Sequence, residues 1–355
     1  MIEGFTRQEL LELSWDKPVM AQVELTRNCN HSCVFCFQGC SSNVVHTDLT
    51  EGQWKTIIGK LENLGVKKIN FSGGESFLHN DFVSLVEYAR AKGFEIVINT
   101  NGSFSCEGIV DYVDEIIFSV HGLGKTHDEI VGTGNSFSLV EQNILRVASR
   151  VRVSINMVLV ALNYEQMNQV FDYFSARCRV YKFSPTFSVR SRFGSHHDKW
   201  ALVITKELLD DYRERLMRIP DDQLGLKHGF QSIYYSDPEI YAFSAIPLAN
   251  CAGGKYKLVV EYDGSVYPCN FFQGDEYYCG NLLTDNEHEI WENGRGFVRF
   301  RELVLGEKIP DRCIGCAKRF KCFSGCRAWS TKYQKGGFEN AEDIRCEPGN
   351  AFIRS

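Results

Sequence analysis

Between Lys17 and Ile219 the chain alternates short β-like runs with segments whose apolar residues recur at helical spacing. The runs are "MAQVEL", "KKINFSG", "FEIVINTNG", "DEIIFSVHG", "VRVSINMVLV" and "RVYKFSPTF". Between them, Trp54, Ile57, Ile58, Leu61 and Leu64 form one helical stripe, and Phe82, Leu85, Val86 and Ala89 a second. Met167, Val170, Phe171 and Phe174 form another. Strands that are apolar on both faces must be covered on both faces, and interleaved amphipathic helices do this. The alternation therefore predicts a parallel sheet built from βα units. Six units suggest a partial barrel, short of the closed eight-stranded form, although a doubly wound sheet satisfies the same pattern.

After Arg190 the texture changes. "RSRFGSHHDKW" reads as loop, "TKELLDDYRERLMRI" as one more helix, and residues 220–250 as irregular and aromatic-rich. From Cys251 onward glycine, aromatic residues and cysteine dominate, as in small domains that fold around metal instead of a large apolar core. The expected division is an N-terminal extension over 1–17, the barrel over 18–236 and a cysteine-rich domain over 237–355.

The charge balance, 39 basic against 45 acidic residues, has no basic stripe of the kind that binds nucleic acid. No apolar segment reaches membrane-spanning length, and the N-terminus lacks a signal-peptide pattern, so a cytoplasmic location is expected. That location matters for the fourteen cysteines. The cytosol keeps thiols reduced, so clustered cysteine there points to metal or redox chemistry and away from a disulfide framework.

Cys29, Cys33 and Cys36 fall in the spacing C-x3-C-x2-C, directly after the first predicted strand. Barrel-like folds carry their active sites at that end of the sheet. A structural zinc site takes four ligands in two separated pairs. Three thiolates in one short loop suit instead three corners of a cubane iron–sulfur cluster, which leaves one iron open.

The loop resembles the signature of the radical S-adenosylmethionine (SAM) enzymes, C-x3-C-x-Φ-C, with Phe35 as the aromatic residue Φ. The resemblance implies a 4Fe–4S cluster whose open iron binds SAM and whose electron releases a 5′-deoxyadenosyl radical. Further strand ends match in order. "FSGGES" resembles the family's GGE motif, with Gly73 and Gly74 beside the methionyl part of SAM and Glu75 accepting from its ammonium. Ser76 replaces the usual proline. Asn99 in "NTNG" and Ser119 in "FSVHG" fall where the family lines its SAM pocket, and His121 stands where relatives often carry Asp. Taken singly, a Gly-Gly-Glu or an "NTNG" is an ordinary turn, and His121, His196 and His197 are ordinary loop histidines. Their coincidence behind the cysteine loop carries the reading.

The C-terminal cysteines, C-x9–15-G-x4-C, then C-x2-C-x5-C-x3-C, then C, resemble the SPASM domain. That domain extends a radical SAM barrel and carries two auxiliary 4Fe–4S clusters, making three in all. The implied fold is a partial (β/α)6 TIM-like barrel of the α/β class with a C-terminal iron–sulfur domain. By the same resemblance Cys251, Cys269 and Cys326 hold the first auxiliary cluster, and Cys313, Cys316, Cys322 and Cys346 the second. The first set is one ligand short; either Cys279 completes it or one iron stays open to substrate. Cys40, Cys106 and Cys178 read as small apolar residues or bystanders.

Full SPASM domains accompany modification of peptides and proteins. The resemblance therefore implies oxidative modification of a ribosomal peptide, with a flavodoxin or ferredoxin as electron donor. Sulfatase-maturating members carry Asp after the cysteine equivalent to Cys269. Asn270 stands there, and an amide cannot take a proton at neutral pH, which argues against that activity. Asn270 and Cys279 are the substrate-side candidates. The short segment before the first strand predicts that a separate protein, if any, binds a peptide leader. Dehydrogenation or epimerisation of a sugar or aminoglycoside is the alternative, and a non-catalytic iron–sulfur protein the second.

Overall fold

Each of the six apolar runs forms a strand. They are β1 (Met20–Glu24), β2 (Lys68–Ser72), β3 (Glu95–Thr100), β4 (Glu115–Ser119), β5 (Arg152–Leu159) and β6 (Val180–Phe187). The computed structural model describes residues 17–44, 46–188, 202, 205–225, 252–304, 310–314 and 326–328 of the chain. Neighbouring strands pair in parallel in sequence order, from Glu24 opposite Ser72 in β1–β2 to Leu159 opposite Phe187 in β5–β6. Their carboxyl ends therefore point one way, and the loops that follow them gather at one edge.

The helical stripes bury as their spacing requires. On α1 (Glu51–Asn63) the buried residues are Trp54, Ile57, Ile58 and Leu61, and on α2 (Phe82–Ala91) they are Phe82, Leu85, Val86 and Ala89. Thr50 and Gln53 close α1 with a reciprocal capping box. Next come α3 (Lys125–Val131), α4 (Ser136–Val147), α5 (Met167–Ser175), which buries the predicted Met167, Val170, Phe171 and Phe174, and α6 (Lys206–Met217). Between β3 and β4 the chain crosses over through turns without an α-helix. Each fully buried Leu, Ile or Phe of these stripes contributes about 1.5–3 kcal/mol. Their joint burial is what sets the loops in place. Among the described residues, no helix is long and apolar enough to cross a membrane.

The C-terminal region departs from expectation. Strand β7 (Lys257–Val260) pairs in parallel with β1, Met20 opposite Lys257, and extends the barrel sheet on its open side. Strands β8 (Ser265–Tyr267) and β9 (Gly280–Asn281) add to it antiparallel, giving nine strands in the order β6-β5-β4-β3-β2-β1-β7-β8-β9. Helices α7 (Glu287–Asn293), α8 (Arg295–Val304) and α9 (Asp311–Ile314) follow. Ile290, Trp291, Phe297 and Phe300 are buried in the same apolar core as the barrel. The described part of this region is thus joined to the barrel by a shared apolar core and by the β1–β7 pairing, beyond any metal it holds. Lys60 Nζ also donates to Asp285 O at 2.6 Å across that seam.

Candidate active site

The loop Cys29–Cys36 follows β1 and is held by backbone hydrogen bonds to the end of α3 and to the turn after β2. Ser32 N donates to Val131 O at 2.9 Å, Val34 N to Ile130 O at 3.0 Å, and Glu75 N to Asn28 O at 2.8 Å. Behind it, the turn after β2 comes so close that only glycine fits. A Cβ on Gly74 would lie 2.1 Å from Asn28 O, and Gly73 has φ +122° with Thr26 O 2.5 Å from its Cβ position.

Cys29, Cys33 and Cys36 all line one cavity of about 390 Å3 at the carboxyl edge of the sheet. Phe35, Gly73, Gly74, Asn99 and Ser119 line it as well, so these strand-end residues converge as their order in sequence suggests. Phe35 packs edge-on against His121, with ring centroids 4.5 Å apart. Asn99 Nδ2 donates to Ser72 Oγ at 3.3 Å, tying the ends of β3 and β2.

Glu75 is placed otherwise than expected. It is fully buried and does not line the cavity. Its carboxylate accepts from Thr100 Oγ1 at 3.0 Å, from Asn101 N at 2.8 Å and from Phe77 N at 3.3 Å. Burial pushes its pKa up to about 7 against these hydrogen bonds. Glu75 thus fastens the glycine turn to the end of β3; the cavity is faced by the backbone of Gly73 and Gly74.

All three loop cysteines are free thiols. Burial pushes Cys29 up to about 11 and raises Cys33, whereas Cys36 is drawn down to about 6 by the hydrogen bond from the neighbouring Cys40 thiol and by backbone donors. Burial disfavours the thiolates of Cys29 and Cys33 unless a cation offsets their charge, which ligation by iron would do. Three thiols facing one cavity, backed by the glycine turn, are a donor set that would suit an iron–sulfur cluster. His121 and His31 sit on the wall, both held neutral by burial, and the latter is lowered to about 4. His121 Nδ1 accepts from Val158 N at 3.1 Å, so its proton lies on Nε2.

The opposite wall comes from the C-terminal region. Cys269, Asn270 and Cys326 line the same cavity, with Phe271 packed on Phe37 of the cysteine loop at 4.6 Å. Gly253 approaches Pro268, whose oxygen lies 2.8 Å from where a Cβ would stand, so the chain just after Cys251 runs beside Cys269. Cys251, Cys316, Cys322 and Cys346 lie outside the described residues, as do His196 and His197; Cys313 falls in α9, where only the backbone is described. Cys279 is apart from the cavity. Its thiol donates to Tyr277 O at 3.4 Å and lies against the α7–α8 junction, 2.9 Å from the Cβ position of Gly296. Cys40 lines the cavity, Cys106 is wholly buried in the core, and Cys178 packs at its edge.

Gln22 and Glu24 were not singled out from sequence, yet both face the cavity from β1. Polar residues two apart in an otherwise apolar strand share its inward face, and that spacing was the available signal.

The comparisons agree with this geometry. Residues 23–174 match the radical SAM superfamily model, and residues 251–317 match the SPASM model, an iron–sulfur cluster-binding domain. The chain is 27% identical over 356 residues to the mycofactocin maturase MftC of Mycobacterium tuberculosis (strain CDC 1551 / Oshkosh), covering 97% of this chain and 86% of that one. It is also 27% identical over 325 residues to the PqqA peptide cyclase of Xanthomonas euvesicatoria pv. vesicatoria (strain 85-10), covering 87% and 83%. In fold it is similar to Streptococcus suis SuiB bound to the precursor peptide SuiA, with TM-score 0.74, 17% identity and coverage of 96% and 78%. With the cysteine loop, the glycine turn and the second cysteine wall on one cavity, the chain is an enzyme with a radical SAM domain over residues 23–174 and a SPASM domain over 251–317, which binds S-adenosylmethionine and 4Fe–4S iron–sulfur.

Proposed function

We propose that the protein is a maturase that oxidatively modifies a ribosomal peptide within the cavity between the two cysteine walls. The observation that carries this reading is that Cys29, Cys33 and Cys36 face the same chamber as Cys269 and Cys326. The names of the relatives, a maturase and a peptide cyclase, support a peptide substrate.

In this reading Cys29, Cys33 and Cys36 hold the SAM-binding cluster, which with SAM supplies a 5′-deoxyadenosyl radical. The protein's own part is position and dryness. The backbone of Gly73 and Gly74 receives the methionyl part of SAM; Phe35, Asn99 and Ser119 line the rest of its pocket. Glu75 fixes the turn that presents them. Cys251, Cys269 and Cys326 hold the first auxiliary cluster, and Cys313, Cys316, Cys322 and Cys346 the second, for three clusters in all. The seclusion of Cys279 favours an open position on the first auxiliary cluster over ligation by that thiol. We place the barrel over 18–236 and the auxiliary-cluster domain over 237–355, with β7 of the latter completing the sheet of the former. The expected partners are a leader-binding protein and a flavodoxin or ferredoxin in the cytoplasm.

Anaerobic incubation of the reconstituted enzyme with SAM, reductant and peptides encoded beside its gene tests the reading. Loss of two or four hydrogens from a peptide is expected. Deoxyadenosine release that leaves every such peptide unchanged in mass and isotope content counts against it. Iron analysis tests the cluster number, with about eight to twelve iron per chain expected and about four contradicting it.

A further inference from the structure

Removing two hydrogens from a peptide sends one away as a hydrogen atom and the other as a proton, and the proton needs an acceptor in the same chamber. Asn270, beside Cys269, is an amide and cannot take it. Among the described residues lining the cavity, Glu24 is the one carboxylate. It ends β1 at 3% exposure, between the cysteine loop and the C-terminal wall. Gln22 Nε2 donates to its Oε1 at 3.0 Å, and Gln38, two residues past Cys36, donates to its Oε2. Gln273, four residues past Cys269, reaches the same Oε2 at 3.5 Å. Glu24 thus joins both cysteine walls.

Its surroundings suit a proton carrier. Glu261, just past β7 and itself buried, lies against Glu24, and burial and this neighbour raise Glu24 well above its ordinary range. Lys257 Nζ donates to Gln22 Oε1 at 2.7 Å and pulls the other way, and Cys40 adds repulsion from the loop side. A buried carboxylate whose proton affinity is raised is a stronger base than a free one.

We propose that Glu24, backed by Glu261, is the proton acceptor of the peptide oxidation. The inference rests on the function proposed above. The substrate gives a hydrogen atom to the adenosyl radical, then an electron to an iron–sulfur acceptor and a proton to Glu24. The two substrate atoms that lost hydrogen become bonded, or more strongly bonded, to each other. The carboxyl pair passes from one proton to two.

The test is Glu24→Gln, which keeps the volume and an oxygen acceptor, in the fully loaded enzyme with deuterated peptide. Deuterium should still enter deoxyadenosine, while oxidised peptide per deoxyadenosine falls by about 100-fold or more. Glu24→Asp should recover part of the yield. In wild type the yield should rise with pH as the pair loses its second proton, and Glu24→Gln should remove that limb. Infrared difference spectra of the substrate-free enzyme should show a protonated-carboxyl band that is lost in Glu24→Gln, a readout independent of turnover. An unchanged product yield in the variant, loss of deuterium transfer itself, or absence of the band overturns the proposal. If wild type modifies no peptide, the functional reading fails separately, and the infrared band still decides whether the pair holds a proton.

Discussion

The two cysteine walls are built by opposite means. The loop carrying Cys29, Cys33 and Cys36 is pinned by backbone hydrogen bonds to Ile130 and Val131 and by the glycine turn at 73–74, all resting on a large apolar core. The wall carrying Cys269 and Cys326 reaches the cavity through β7 and the helices after it, which attach as an added edge on β1. The first wall is a consequence of the barrel; the second is docked onto it. Loss of function should therefore separate cleanly, with radical formation tied to the first wall and its productive use to the second.

The largest effect expected is from replacing Cys29, Cys33 and Cys36 together with Ala. Deoxyadenosine formation should fall to background while far-UV circular dichroism stays native, because these thiols line the cavity and lie outside the main apolar core. Retained formation would erase the distinction between the walls. Next, Cys269→Ala should leave deoxyadenosine measurable by chromatography but lower modified peptide by about 100-fold or more, with a matching loss of iron. Equal loss of both products would mean that the second wall also serves radical formation.

Gly74→Ala forces a methyl group to within 2.1 Å of Asn28 O, so the turn or the cysteine loop must move. A loss of about 1–3 kcal/mol in stability and weaker SAM binding are expected, read by denaturant titration and calorimetry. A smaller effect concerns Glu24. Its folded pKa is raised above the ordinary 4.5, so the native state binds its proton more tightly than the unfolded chain does. Stability is fully present below about pH 4.5 and declines as pH rises toward the folded pKa. Glu24→Gln should flatten that decline in melts taken upward from pH 4.5; an identical slope would deny the raised pKa. The smallest effect is at Cys106, wholly buried in the barrel core. Cys106→Ala should cost about 1 kcal/mol and leave deoxyadenosine formation as in wild type.

The same contrast explains what could be read from the sequence. Two-faced burial writes itself into continuous apolar runs, so all six barrel strands and the stripes on α1, α2 and α5 were legible. The order of the strand-end residues Gly73, Asn99 and Ser119 already implied that they share one edge. The second wall was less legible because its elements are short. Strand β7 spans four residues, and α8 interrupts Phe297 and Phe300 with Arg299 and Arg301, the latter buried by donating to the carbonyls of Gly254, Glu292 and Trp291. Glu75 was legible as a motif but not as an internal brace, since only three dimensions bring Thr100 and Asn101 onto its carboxylate. Glu24 and Glu261 meet across the β1–β7 seam, which sequence spacing does not announce.

The central claim is that one chamber brings the SAM-derived radical to a peptide. Turnover with a uniformly deuterated substrate peptide, followed by mass spectrometry of the deoxyadenosine, tests it most directly. The account predicts one deuterium gained per deoxyadenosine; peptide modification accompanied only by unlabelled deoxyadenosine would contradict it.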